Sequence, residues 1–273
     1  MRVMPIKVYS GSKGWIQLKA SFKKNWIHYL QEAIGLAIFM ISACFFSALF
    51  WGNDSSFHYS FSNETTRNII NGVLMGATAL FIFYSPFTAP SGSHINPAVT
   101  ITFLRLNEMC RYDALFYIIF QFIGGTLAVY VMAMLLGNSL IDAPVNYAVT
   151  VPGKSGVAAA AITEYIIAVI MMAMVLFTSQ HHILRKYTRI IAACFVCLNV
   201  IFAGPISGFG MNPARSFASA FPAHIYTAFW IYMFIPFASM LSAAEIFLFV
   251  ERRRTKTNNT HIEIISNEKN IMV

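Results

Sequence analysis

Apolar residues along this chain do not alternate with polar ones; they come in long blocks. Six blocks stand out, at 27–51, 68–87, 112–136, 157–179, 187–203 and 225–250. Most of them reach the roughly 20 residues that a helix needs to cross the hydrocarbon of a bilayer. Spanning β-strands would alternate over about 10 residues instead, so the pattern predicts an all-α membrane bundle. The fifth block is interrupted late by Gly204-Pro205. The blocks divide the chain into a tail at 1–26, a membrane domain at 27–250 and a tail at 251–273, polar from 255 onward. The first block lies behind a polar stretch, is longer than a signal h-region and has no small-residue cleavage site, so it is expected to remain as a span.

Two connections are themselves apolar. "SGSHINPAVTITFL" occupies 91–104 and "GFGMNPARSFASAF" occupies 208–221. Each is too short to cross, and each carries Asn-Pro-Ala ahead of a helix-compatible run. Three spans and one such segment therefore recur, as repeat one (about 27–136) and repeat two (about 157–250). An odd number of spans per repeat inverts the second relative to the first. Paired broken segments in inverted repeats point to a site near the midplane. "EAIGLAIFMI" and "EYIIAVIMMA" open the first and fourth blocks, placing Glu32 and Glu164 at matching depth. Ionisable residues inside spans normally face the bundle interior with a partner. We expect both carboxylates to accept hydrogen bonds from the backbone of the short segments.

The tripeptide is a helix start. Asn caps through its side-chain oxygen, and Pro at the first helical position loses nothing by lacking an N–H. Asn96-Pro97-Ala98 and Asn212-Pro213-Ala214 thus predict two half-helices that meet start to start. Each start carries roughly half a positive charge, and each Asn NH₂ has two donors to offer. Irregular backbone at membrane depth must be buried or line a cavity, so Gly92, Ser93, His94, Gly208 and Gly210 are expected along a lumen. Arg215 follows the second tripeptide. A buried arginine is costly enough, about 2.5–3.5 kcal/mol on the lenient scale, to suggest a role in a pore.

Composition agrees. The chain is 57% hydrophobic and 11% charged, against about 25% charged in soluble domains. The net charge of +8 does not indicate nucleic acid. Its Lys and Arg residues cluster before the first block (Arg2, Lys7, Lys13, Lys19, Lys23, Lys24), after the second and fourth, and after the sixth (Arg252, Arg253, Arg254, Lys256). That distribution places both termini in the cytoplasm. Cys44, Cys110, Cys194 and Cys197 lie in or beside spans and read as packing residues. No metal cluster, nucleophile–base pair or cofactor motif is present, so neither an enzyme nor a cofactor is expected. "AVTVPGKS" lacks the first glycine of a phosphate-binding loop. Glu245 is expected to pair with Arg252, His181-His182 to be solvated, and Asn53 and Asn63 head glycosylation sequons on the outer side.

"HINPAVT", "GPISGFGMNPARS", Gln121 in "FQFIGG", and the paired Glu32 and Glu164 resemble the aquaporin, or major intrinsic protein, family across about 27–250. The resemblance implies six spans plus two half-helices, a pore in every subunit, a homotetramer and a place in the plasma membrane. It also implies an outer constriction of four residues: Gly76 (or Met75 or Ala77), Val200, Phe209 and Arg215. Strict water channels of the family put a His where Val200 stands. Phe209 resembles glycerol facilitators, although Ser216 replaces their usual Asp, and "LNVIFAGPISG" is similar to the nodulin-type plant channels. Ile235-Pro236 departs from the family's usual Gly-Pro. The resulting expectation is a passive channel for water and small uncharged solutes such as glycerol. A strict water channel and a secondary transporter on the same architecture are the alternatives.

Overall fold

The computed structural model describes residues 14–271, with side chains described as far as Arg253. Arg2, Lys7 and Lys13 of the basic cluster lie outside the described residues, as do the side chains of Arg254 and Lys256. The described residues form α1 (Gly14–Trp51), α2 (Ser56–Ser60), α3 (Glu64–Tyr84), α4 (Pro97–Arg105), α5 (Arg111–Leu136) and α6 (Asn138–Ile141). They continue with α7 (Gly156–Gln180), α8 (Thr188–Phe202), α9 (Gly204–Ser207), α10 (Pro213–Ala223) and α11 (Phe229–Ile271), and contain no strand.

Helices α1, α3, α5, α7 and α11 are long and apolar enough to cross a membrane. The apolar helix α8 has 15 residues and is continued by α9 across Ala203. There the Ala203 N–H reaches the Asn199 carbonyl at 2.9 Å and the Ser207 N–H reaches the Ala203 carbonyl at 2.8 Å. The chain is a multi-pass membrane protein. Its surface fits that reading: Met134 (86%) and Phe234 (69%) are exposed, while Glu32 and Glu164 are fully buried.

Several helix ends differ from the block boundaries because hydropathy marks where a helix enters lipid, not where it begins. The helix α1 is already formed at Gly14, ahead of 27. Its polar first turns are held to α5: Phe22 packs 5.1 Å from the Phe116 ring, and Ser21, Asn25 and Tyr29 all donate to the buried Asp113 carboxylate. The last helix starts at Phe229 and runs on to Ile271, through the segment expected to be a polar tail. Glu245 bridges to Arg105 at the end of α4 (2.8 Å), not to Arg252. Helical spacing made Arg252 a neighbour in sequence; packing of α4 on α11 brings Arg105 closer.

The repeats pack alike. The pair α1–α5 in one matches α7–α11 in the other, and α3 meets α8 between them. The half-helices α4 and α10 have nine and eleven residues. At about 1.5 Å per residue they measure about 14 and 17 Å, together close to the roughly 30 Å hydrocarbon thickness. Each packs against a long helix of the opposite repeat, α4 on α11 and α10 on α5. The half-helix starts are thereby held in the middle of the bundle.

Candidate pore site

Both tripeptides are helix caps. Asn96 and Asn212 are extended (φ −151° and −142°) and stand before Pro97 and Pro213 at the first helical position. The Asn96 Oδ1 accepts from the Ala98 N–H at 2.9 Å. The Asn212 Oδ1 accepts from Ala214 at 3.0 Å and Arg215 at 3.2 Å.

The same amides tie the two halves together. Asn96 Nδ2 donates to the Met211 carbonyl at 2.9 Å, and Asn212 Nδ2 donates to the Ile95 carbonyl at 2.6 Å. One donor of each NH₂ is therefore committed to the opposite loop, and one remains, where the sequence suggested two. The crossing also fixes the separation of the two helix starts, whose like partial charges would otherwise push them apart.

Residues 95 and 211 work in two directions. Their carbonyls face the opposite asparagine while their N–H groups turn outward to a buried carboxylate. Glu32 accepts from the Ile95 N–H (2.5 Å), the His94 N–H (2.9 Å), the Ser91 hydroxyl (2.6 Å) and Gln121 Nε2 (2.8 Å). Glu164 accepts from the Met211 N–H (2.6 Å), the Gly210 N–H (2.8 Å) and the Ser207 hydroxyl (2.6 Å). Every partner is a donor, which suits an ionised, acceptor-only carboxylate. Tyr117 and Tyr232 complete the frame by donating to the Ser91 and Ser207 carbonyls at 2.8 and 2.7 Å.

This double-facing backbone needs an unusual conformation. Ser93, Ile95, Phe209 and Met211 all have φ between 43° and 51°, and Gly92 and Gly208 have φ of 97° and 80°. Non-glycine residues rarely sit there, at a cost of order 1–3 kcal/mol each unless the surroundings impose it. The carboxylates supply that constraint, identically placed in both repeats.

Beside the paired asparagines lies a cavity of about 170 Å³. A single water needs only about 10–15 Å³ of such space, so the cavity accommodates a short file. Gly92, Ser93, His94, Gly210, Phe209 and Arg215 all border it, with both asparagines. His94 stacks on Phe103, 4.7 Å between centroids. The Arg215 backbone N–H is taken by Asn212, and its side-chain Nη1 is buried with no hydrogen-bond partner among the described residues. The guanidinium is thus available to whatever enters.

The other residues expected at the constriction do not border this cavity. Position 76 faces α8: a Cβ there would sit 2.7 Å from the Cys197 Cβ and 3.2 Å from the Ala193 carbonyl oxygen. Its bare backbone lets α3 and α8 close-pack, and neither Gly76 nor Met75 or Ala77 lines the cavity. Val200 also stands outside it, packed partly buried against the core. Conversely, Ser91, Ser207, Tyr117 and Tyr232 were not singled out from sequence. The serines were findable, since each stands five residues before its asparagine.

Two half-helices meeting start to start around a cavity, inside a bundle of inverted repeats, define a pore-type membrane fold. The comparisons agree. The family model described as major intrinsic protein matches residues 19–247, and the chain belongs to that family, whose aquaporins are channels and not enzymes. A probable NIP-type aquaporin of Nicotiana alata is 35% identical over 157 residues, covering 58% of this chain and 57% of its own length. Nodulin-26 of Glycine max is 30% identical over 159 residues, covering 58% and 56%. The chain thus spans under three fifths of the length of these curated relatives. The X-ray structure of an aquaglyceroporin from Plasmodium falciparum superposes with a TM-score of 0.66 at 18% identity, over 81% of this chain and 94% of that one. That likeness establishes the fold.

Proposed function

We propose that this chain is a passive channel for water and small uncharged solutes, glycerol-like in size, that excludes protons and ions. The observation that carries the reading is the reciprocal crossing of Asn96 and Asn212 beside a cavity that the Arg215 guanidinium also borders. Each asparagine keeps one donor, so a water at the junction accepts two hydrogen bonds and turns its own hydrogens toward the exits. A proton cannot hop through an oxygen held that way. The two half-helix starts and Arg215 add fixed positive charge against cations. Phe209 gives the same region an apolar wall along which a carbon skeleton can slide. The similarity to NIP-type aquaporins supports the water-conducting part.

The secondary-transporter alternative needs carboxylates free to bind a coupling ion. Glu32 and Glu164 are instead surrounded by loop donors, which favours the channel. On this reading Phe209, Arg215 and Val200 form the outer constriction, and four subunits assemble as a homotetramer in the plasma membrane. Both termini face the cytoplasm, as the excess of Lys and Arg at Lys19, Lys23, Lys24, Arg185, Lys186 and Arg252 supports.

Stopped-flow light scattering on proteoliposomes tests it. Sucrose should shrink the vesicles quickly with a low activation energy, and glycerol should let them re-swell. Flux that saturates or follows an ion gradient would replace the channel with a transporter.

A further inference from the structure

The cavity has a second end. Opposite the asparagines, the first turn of α8 brings Thr188 and Arg189 to its wall, across from Phe83 in the last turn of α3. The Arg189 guanidinium carbon lies 5.5 Å from the centroid of the Tyr84 ring. Among the described residues no carboxylate pairs with Arg189, and its guanidinium donates to no protein acceptor. The neighbouring Thr188 hydroxyl is turned away, donating to Thr178 at 3.0 Å. Between the two ends the walls are apolar, formed by Phe39, Phe83, Phe103, Met171 and Val175.

We infer that Arg189 is a second selectivity determinant, a fixed cation and donor fork at the mouth opposite Arg215. The inference rests on the channel reading and extends it to residues outside the asparagine-end constriction. A guanidinium stays charged at any physiological pH. The electron-rich face of Tyr84 holds it in place while leaving its in-plane N–H donors open. The start of α8 adds partial positive charge of the same sign. A metal cation entering there meets this charge ahead of walls that are mostly apolar, and low-dielectric surroundings strengthen the repulsion. An uncharged solute with oxygens on a short carbon skeleton, a small polyol or amide, meets the opposite situation. Its oxygens find guanidinium donors at each end of the cavity, and its carbons find Phe and Met between them. Cation exclusion is then guarded twice, by Arg215 at one end and Arg189 at the other.

The redundancy makes the test. Wild type, R189A, R215V and R189A/R215V are reconstituted into proteoliposomes, and sodium leak is read with an entrapped fluorescent indicator. R215V alone should leak little, because Arg189 still guards the other mouth; the double variant should leak about tenfold more than R215V. R189K/R215V, which keeps the charge, should stay near R215V. A double variant no leakier than R215V overturns the inference, and so does R189K/R215V leaking like R189A/R215V. Should R189A/R215V fail size-exclusion chromatography, R189Q/R215V makes the same comparison. Wild-type vesicles without rapid osmotic shrinkage would instead remove the channel reading itself, so the two failures are distinguishable.

Discussion

Replacing Glu164 by Gln keeps the size of a side chain whose three partners are all donors: the Ser207 hydroxyl, the Gly210 N–H and the Met211 N–H. Its best orientation points the amide oxygen at Ser207 and Gly210, the pair that shares one carboxylate oxygen. The new NH₂ then faces the Met211 N–H, donor against donor. The orphaned N–H costs about 1–3 kcal/mol, and the two surviving bonds lose charge assistance worth about 1 kcal/mol each. The total is about 3–5 kcal/mol, borne by the loop that holds Phe209 and Met211 at positive φ. Glu32→Gln is different, although its site is related by the repeat. Its NH₂ faces Gln121, whose Oε1 is buried without a partner. A flip of the Gln121 amide turns that oxygen onto the new donor and recovers part of the loss. The second repeat has no such residue, because the position that corresponds to Gln121, counted from the Tyr117–Tyr232 pair, is Pro236. E164Q should therefore be worse than E32Q by about 1–2 kcal/mol. Melting of detergent-solubilised protein by fluorescence-detected size exclusion, and water permeability per reconstituted protein, measure both. The reasoning is refuted if E164Q melts and conducts like wild type, or if E32Q proves the more damaging.

Three further outcomes follow from named contacts. Phe209→Ala removes the apolar wall beside Arg215 and should lower glycerol flux relative to water several-fold; an unchanged ratio in stopped-flow assays would take Phe209 out of the constriction. Gly76→Ala should destabilise by about 1–3 kcal/mol, because its Cβ would meet Cys197 at 2.7 Å; lowered solute flux at unchanged melting temperature would instead return position 76 to the lumen. Arg105→Ala should change stability by under about 1 kcal/mol, since both sides of its bridge to Glu245 are exposed, and a larger shift in melting would show that the pair orders α4 against α11.

The apolar blocks, the duplicated tripeptide and the paired glutamates were legible in the sequence because each is local or repeats in register. Helix ends were not, since the polar turns at 14–26 owe their order to Phe22 and Asp113 contacts with α5 rather than to hydropathy. The packing of Gly76 against α8 was hidden for a related reason. Counting back from Asn96 passes Pro86, Pro90 and a 3₁₀ turn at Ala89–Ser91, and a count of residues carries no information about which way a Cβ points. The cross-bonds from Asn96 to Met211 and from Asn212 to Ile95 join loops more than a hundred residues apart in sequence. Only the folded bundle could show that each amide has one donor committed.

That commitment explains why the tripeptide must occur twice. A lone half-helix start would present an unopposed partial positive charge and an asparagine with no carbonyl to receive its amide. Two starts placed head to head repel, and the repulsion needs a tether. Ile95 and Met211 provide it through carbonyls that reach the centre only because φ is positive there. Positive φ at such residues is sustained only because Glu32 and Glu164 hold the N–H groups from behind. The carboxylates, the strained loops and the asparagine pair thus form one mechanical unit, and the duplication supplies two copies of every part of it but one. The single unmatched part is Gln121 opposite Pro236, which is why unequal responses to E32Q and E164Q are the most discriminating measurement on this site.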